Sequence, residues 1–105
     1  MIFEQECFQI ILHGGNARSI AYEALGKLKQ GQMEAAKEKI AEAKEELALA
    51  GCQHAKLLQS FVIDETLKVE MLLVHAEDHM SSSSVIVEMT QELMEVYERL
   101  ERLEN

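Results

Sequence analysis

No proline and no tryptophan occur in this chain of 105 residues, and aromatic residues make up only 5% of it. A β-sandwich or barrel draws on Pro/Gly turns and on β-branched or aromatic runs. Neither architecture suits this composition. Basic residues are scarce: 10 Lys and Arg stand against 19 Asp and Glu, a formal net charge of −9. A nucleic-acid binder needs a cationic footprint, so none is expected here. An anionic membrane surface would repel the chain as well. No apolar run approaches the roughly 18 residues that a bilayer-spanning helix needs, so membrane insertion is not expected. Glu4 and Glu6 stand where a signal peptide would carry Lys or Arg. The expected location is therefore cytoplasmic. Cys7 and Cys52 are too few for a disulfide framework and read as free thiols. A mass of 11.9 kDa predicts one domain, residues 1–105.

What is abundant is Ala, Leu, Glu, Lys, Gln and Met, the strong helix formers. Three long stripes of small and apolar residues recur at spacings of three and four. The first runs Phe3, Cys7, Ile10, Gly14, Ala17, Ala21, Ala24, Leu28. The second runs Met33, Ala36, Ile40, Ala43, Leu47, Ala50, His54, Leu57, Phe61. The third runs Val69, Leu73, Ala76, Met80, Ser83, Val87, Thr90, Met94, Tyr97. Each is the buried face of a helix. The first stripe breaks at Gln30-Gly31-Gln32, with Gly31 placed to end a helix. The second break is expected over Ser60–Thr66, with Asp64 as N-cap of the third helix. Short connections make neighbours antiparallel, which predicts an all-α, antiparallel three-helix bundle.

Two features ask for more than a monomeric bundle. Met71, Val74, Val85, Met89 and Val96 form a second apolar strip beside the third stripe. An extra strip of this kind is covered by another chain, so a symmetric homo-oligomer is expected with the third helix along its axis. Gly14-Gly15 and Ser81–Ser84 put small residues inside helices, where glycine costs about 1 kcal/mol relative to Ala. Close approach of another backbone or of a ligand would account for them.

The histidines carry the possible chemistry. His54 lies on the second stripe and reads as a core histidine. His13 reads as a helix-surface histidine, and nearby Arg18 as a partner for an acid or a phosphoryl group. The segment Val74-His75-Ala76-Glu77-Asp78-His79-Met80 is different. His75 and His79 are four apart and share a face, and Asp78 adjoins His79. Three readings of these polar groups stand side by side. They could ligate a metal. A neutral imidazole could accept and pass on a phosphoryl group. Or they could form a polar layer that sets helix register.

Leu72-Leu73-Val74-His75-Ala76-Glu77-Asp78-His79-Met80 resembles the Leu-Leu-Val-His-Ala-Gln-Asp-His-Leu signature of the lactose/cellobiose-type IIA components of the bacterial phosphoenolpyruvate-dependent sugar phosphotransferase system. The block Ile11-Leu12-His13-Gly14-Gly15-Asn16-Ala17-Arg18-Ser19 resembles the family's other recognisable segment. The resemblance implies a three-helix subunit that assembles as a nine-helix homotrimer. It implies that His75 takes a phosphoryl group from HPr and gives it to a cysteine of the IIB component, serving the membrane IIC component indirectly. It implies that Asp78 meets its copies at the trimer axis around a divalent metal, Mg2+, and that His79 helps orient the site. Glu77 departs from the usual Gln and adds negative charge beside that site. The rival expectation is a non-catalytic oligomeric helical module that binds a metal through His75, Asp78 and His79.

Overall fold

The structure is a computed structural model that describes residues 3–104. It consists of α1 (Glu4–Lys29), α2 (Met33–Ile63) and α3 (Met71–Glu104). Among the described residues there is no strand. The helices form a rod of 60 × 18 × 18 Å. That length follows from the rise of about 1.5 Å per residue along such long helices.

The first turn has a local cause. Gly31 adopts a φ of +74°, the left-handed conformation that glycine takes without steric cost. The N–H of Gln32 then reaches back to the Lys27 carbonyl at 2.9 Å, and that of Gly31 to Leu28 at 3.1 Å. These two bonds satisfy carbonyls that the helix end leaves free. Lys27 and Lys29 sit in the same last turn, where the helix dipole favours positive charge.

The second connection differs from the expectation. α2 runs on to Ile63, and α3 begins only at Met71. Asp64 does not cap α3. It ends α2, and its Oδ1 accepts hydrogen bonds from the Thr66 N–H (2.9 Å) and hydroxyl (2.6 Å). These bonds hold the Asp64 carboxyl below its usual pKa. The turn is thus an Asx turn, a use of Asp that competes with helix capping. Val69, assigned above to the third stripe, lies in this connection and is 68% exposed. It lines a hollow of about 270 Å³ with Leu57, Leu58, Phe61, Leu73 and Val74.

Within the helices the stripes are buried as read. α1 buries Cys7, Ile10, Gly14, Ala17, Ala21, Ala24 and Leu28. Cys7, Ile10, Leu57, Leu73 and Ala76 form one core cluster, and Ala17, Ala21, Ala43 and Val87 another. These pairings make α1 antiparallel to α2 and parallel to α3. Met71, Val74, Val85, Met89 and Val96 are all at least half exposed, and Leu93, Leu100 and Leu103 are exposed as well. The second apolar strip is therefore uncovered in a single chain.

Candidate functional site

The site is built on two turns of α3 and the part of α1 that faces them. His75 and His79 are one helical turn apart, so their rings meet. The centroids are 4.5 Å apart and the rings stand edge-on at 86°. His75 is exposed, while His79 is half-buried. The buried Nδ1 of His79 makes no hydrogen bond among the described residues. Burial, then the neighbouring His75 and Arg18, push the His79 pKa below the ordinary value of 6.5, and Asp78 only partly opposes them. His79 is thus a neutral ring wedged beneath an accessible one.

Asp78 is exposed. By helical spacing it falls in the middle of the uncovered strip, seven residues before Val85 and seven after Met71. Glu77 turns the other way, toward α2, where its Oε1 lies 2.7 Å from His54 Nε2. His54 is therefore partly buried between α2 and α3, against an acid. The extra charge of Glu77 is directed away from His75. Among the described residues no three His, Cys, Asp or Glu side chains converge to hold a metal. Within one chain, His75, Asp78 and His79 do not form a ligand set.

α1 splits its block between two neighbours. His13 donates Nδ1–H to Glu46 of α2, and its Nε2 is 3.1 Å from Gln9 Oε1. Asn16 donates to the same Glu46 at 3.4 Å. Gly14, by contrast, faces α3. The Ser83 hydroxyl donates to the Gly14 carbonyl at 2.7 Å, and a Cβ at Gly14 would lie 3.4 Å from the His79 carbonyl oxygen. The lack of a side chain at Gly14 lets α1 approach α3 at the level of His79. A Cβ at Gly15 would meet nothing, so only Gly14 serves the contact between helices. Ser83 was legible only as one small residue in a serine run; its place on the third stripe was the signal for its contact. Glu46 carried no such signal. Its link to His13 depends on the register of α1 against α2. Cys7 and Cys52 are both free. Burial, and then Glu6, Glu77 and Glu70, push the Cys7 thiol pKa up, which makes it a packing residue rather than a nucleophile.

These features define a small all-α protein that presents a histidine on an open helix face. Comparison with known proteins narrows the class. Residues 5–98 match the family model described as "PTS system, Lactose/Cellobiose specific IIA subunit". The chain is 41% identical over 97 residues to the lichenan-specific phosphotransferase enzyme IIA component of Bacillus subtilis, covering 92% of this chain and 88% of that protein. It is 36% identical over 97 residues to the N,N'-diacetylchitobiose-specific EIIA component of Escherichia coli K12, covering 92% and 84%. The crystal structure of the cellobiose-specific enzyme IIA from Bacillus anthracis superposes with a TM-score of 0.90 at 39% identity, over 97% of this chain and 94% of that one. The IIA(chitobiose) chain solved in complex with HPr from Escherichia coli gives a TM-score of 0.73 at 35% identity, over 94% and 96%. This chain belongs to the lactose/cellobiose-specific IIA family and is a component of a sugar phosphotransferase system. Among the described residues no helix is long and apolar enough to cross a membrane.

Proposed function

We propose that this chain is a cytoplasmic phosphocarrier. His75 accepts a phosphoryl group from phospho-HPr and passes it to the cysteine of a IIB component. Uptake of a lactose- or cellobiose-type sugar through the membrane IIC component draws on that relay. The observation that carries the reading is the exposed His75 ring, edge-on to the neutral His79, in a chain of this family. A relative captured in complex with HPr supports HPr as the donor.

The side chains suit the chemistry. A neutral imidazole carries a lone pair that can attack phosphorus. The phosphorus–nitrogen bond then formed remains labile enough to pass the group on. His79, edge-on to His75, helps orient its ring. Exposure of His75 lets a macromolecular donor and acceptor dock in turn, and their contact would exclude water from the transfer.

The active form is proposed to be a homotrimer with α3 along its axis. The uncovered strip from Met71 to Leu103 supports this, since a second chain is what covers such a face. Asp78 then meets two copies of itself. Three carboxylates in an apolar seam repel, and one chain supplies only one of them, so the residues fit a shared divalent cation, Mg2+. Bound there, the cation supplies the positive charge that lets the carboxylates stay ionised. For the rival metal-binding module, no ligand set converges within a single chain among the described residues.

The test incubates the protein and its His75→Ala variant with phosphoenolpyruvate, enzyme I and HPr, and reads intact mass at neutral to basic pH. One acid-labile phosphoryl group on the wild type alone is expected. No phosphoryl group on either protein, with controls active, would overturn the carrier reading.

A further inference from the structure

The hollow of about 270 Å³ between α2 and α3 takes no part in the chemistry described so far. Leu57 and Leu73, both buried in the core, form its floor, and Leu58, Phe61, Val69 and Val74 its walls. Phe61 is held by Phe3, with ring centroids 5.9 Å apart. Leu58, Val69 and Val74 are each at least half exposed, so the hollow opens to the surface. Among the described residues its one polar lining group is Glu77, already engaged by His54 at 2.7 Å. Small-molecule sites carry a few placed polar groups that fix the orientation of the ligand, and these walls supply none. The space suits an apolar side chain, since a cavity of about 150 Å³ already accepts a benzene ring.

Position and charge identify what brings that side chain. Val74 and His75 are consecutive, so one wall of the hollow begins a single residue from the phosphoryl acceptor, about 100° around α3 from it. A protein docked on His75 covers roughly 800 Å², a patch about 16 Å in radius, and so reaches Val74 and the hollow behind it. The connection that carries Val69 holds three exposed acids, Asp64, Glu65 and Glu70, against one base, Lys68. Hydrogen bonds from Thr66 favour the ionised form of Asp64. A second copy of this chain, with its net charge of −9, brings further acids to that rim. A partner with bases around an apolar side chain is attracted to it.

We infer that this hollow is the anchor pocket for HPr: the phosphoryl donor inserts an apolar side chain between α2 and α3, with Lys or Arg beside it facing the acids of the connection. The inference rests on the carrier reading of His75. A side chain that fills a pocket carries much of the binding energy of an interface. Charges at the rim act more on the rate of encounter. The hollow and its rim thus hold the donor, and His75 is left to the transfer.

The experiment follows His75 phosphorylation against phospho-HPr concentration for the wild type, the double variant Leu58→Ser/Val69→Ser and the control Leu49→Ser. Leu49 is about as exposed as Leu58 and lies nine residues earlier on α2. Circular dichroism and sedimentation check fold and assembly. The double variant is expected to raise KM about tenfold, the scale of losing one anchor, with the loss falling on KM rather than kcat. Leu49→Ser should match the wild type. Glu65→Lys/Glu70→Lys is expected to raise KM at low salt and to flatten its rise with ionic strength. Should the double variant fail to fold, Val69→Ser alone, in the exposed connection, carries the comparison. An unchanged KM in the folded apolar variant, or an equal rise in Leu49→Ser, overturns the pocket while leaving the carrier reading intact. A wild-type salt response in the charge variant overturns the basic surface assigned to the donor. Loss of assembly in the folded apolar variant overturns the inference too, because it gives the hollow to a second copy. A wild-type protein that takes no phosphoryl group overturns the carrier reading itself.

Discussion

Gly14 offers the sharpest test of how α1 and α3 are held together at the site. Replacement by Ala would place a methyl group 3.2 Å from Ser83 Oγ, 3.4 Å from the His79 carbonyl oxygen and 3.7 Å from its carbon. In a helix, Gly→Ala by itself stabilises by about 1 kcal/mol. Here the methyl has little room. The His79 atoms are backbone, and Ser83 Oγ is tied to the Gly14 carbonyl at 2.7 Å. The helices must part by a few tenths of an ångström, and overpacking of this kind costs about 1–3 kcal/mol. Gly14→Ala is therefore expected to range from neutral to destabilising by about 2 kcal/mol, the difference of those two terms. Gly15→Ala is the internal control. It gains the same propensity and meets nothing within 4 Å, so it should stabilise by about 1 kcal/mol. Propensity cancels between the two variants, and Gly15→Ala should exceed Gly14→Ala by about 1–3 kcal/mol. Urea unfolding at one fixed protein concentration reads the difference, because assembly would add a mass-action contribution. A Gly14→Ala protein as stable as Gly15→Ala would refute the close approach of α1 to α3.

Other predictions concern the charged groups. His79 should titrate below 6.5 in a histidine NMR titration, because burial, His75 and Arg18 disfavour its charged form. A pKa lowered by folding means that the unfolded chain binds the proton first. The contribution of His79 to stability is thus present above pH 6.5 and is lost as pH falls from there through the lower folded value. His79→Gln should flatten that part of the profile, and a His79 that titrates at or above 6.5 would contradict the argument. Asp78→Leu should leave the proposed trimer intact and raise its melting temperature, since repelling carboxylates are removed from an apolar seam; dissociation seen by sedimentation would count against that placement. Glu77→Gln should leave the rate of phosphoryl transfer unchanged, because Glu77 faces His54 of α2. A marked change in that rate would mean that Glu77 acts on His75 after all.

The sequence was most readable where structure is local. Helical period needs only neighbours three and four residues apart, and every buried residue of α1 lies on the stripe read from spacing. The turn at Gly31 was readable for the same reason, since a positive φ selects glycine. The second connection was misplaced because its markers are ambiguous. No Gly or Pro separates Phe61 from Met71. Asp64 can serve a helix start or an Asx turn equally well, and Thr66 decides in favour of the turn. Val62 and Ile63 extend α2 although they are 81% and 75% exposed, so the end of the buried stripe was not the end of the helix. Near the end of α3, Glu98 and Arg102, four residues apart, come to 4.0 Å. Exposed pairs of that kind gain little from being held in one geometry.

The sequence by itself determined three long helices, their buried faces and the shared face of His75 and His79, because each follows from contacts within a few residues of chain. It also carried the family resemblance, through a contiguous block around His75. Only the tertiary structure decided the direction of each flank. It turned Glu77 and His13 toward α2, and it set Gly14 against Ser83, 69 residues away. It left the strip around Asp78 uncovered. Those outcomes depend on the register of one helix against another, which no local spacing encodes. Register is fixed only when the whole set of small and large residues along two helices packs at once.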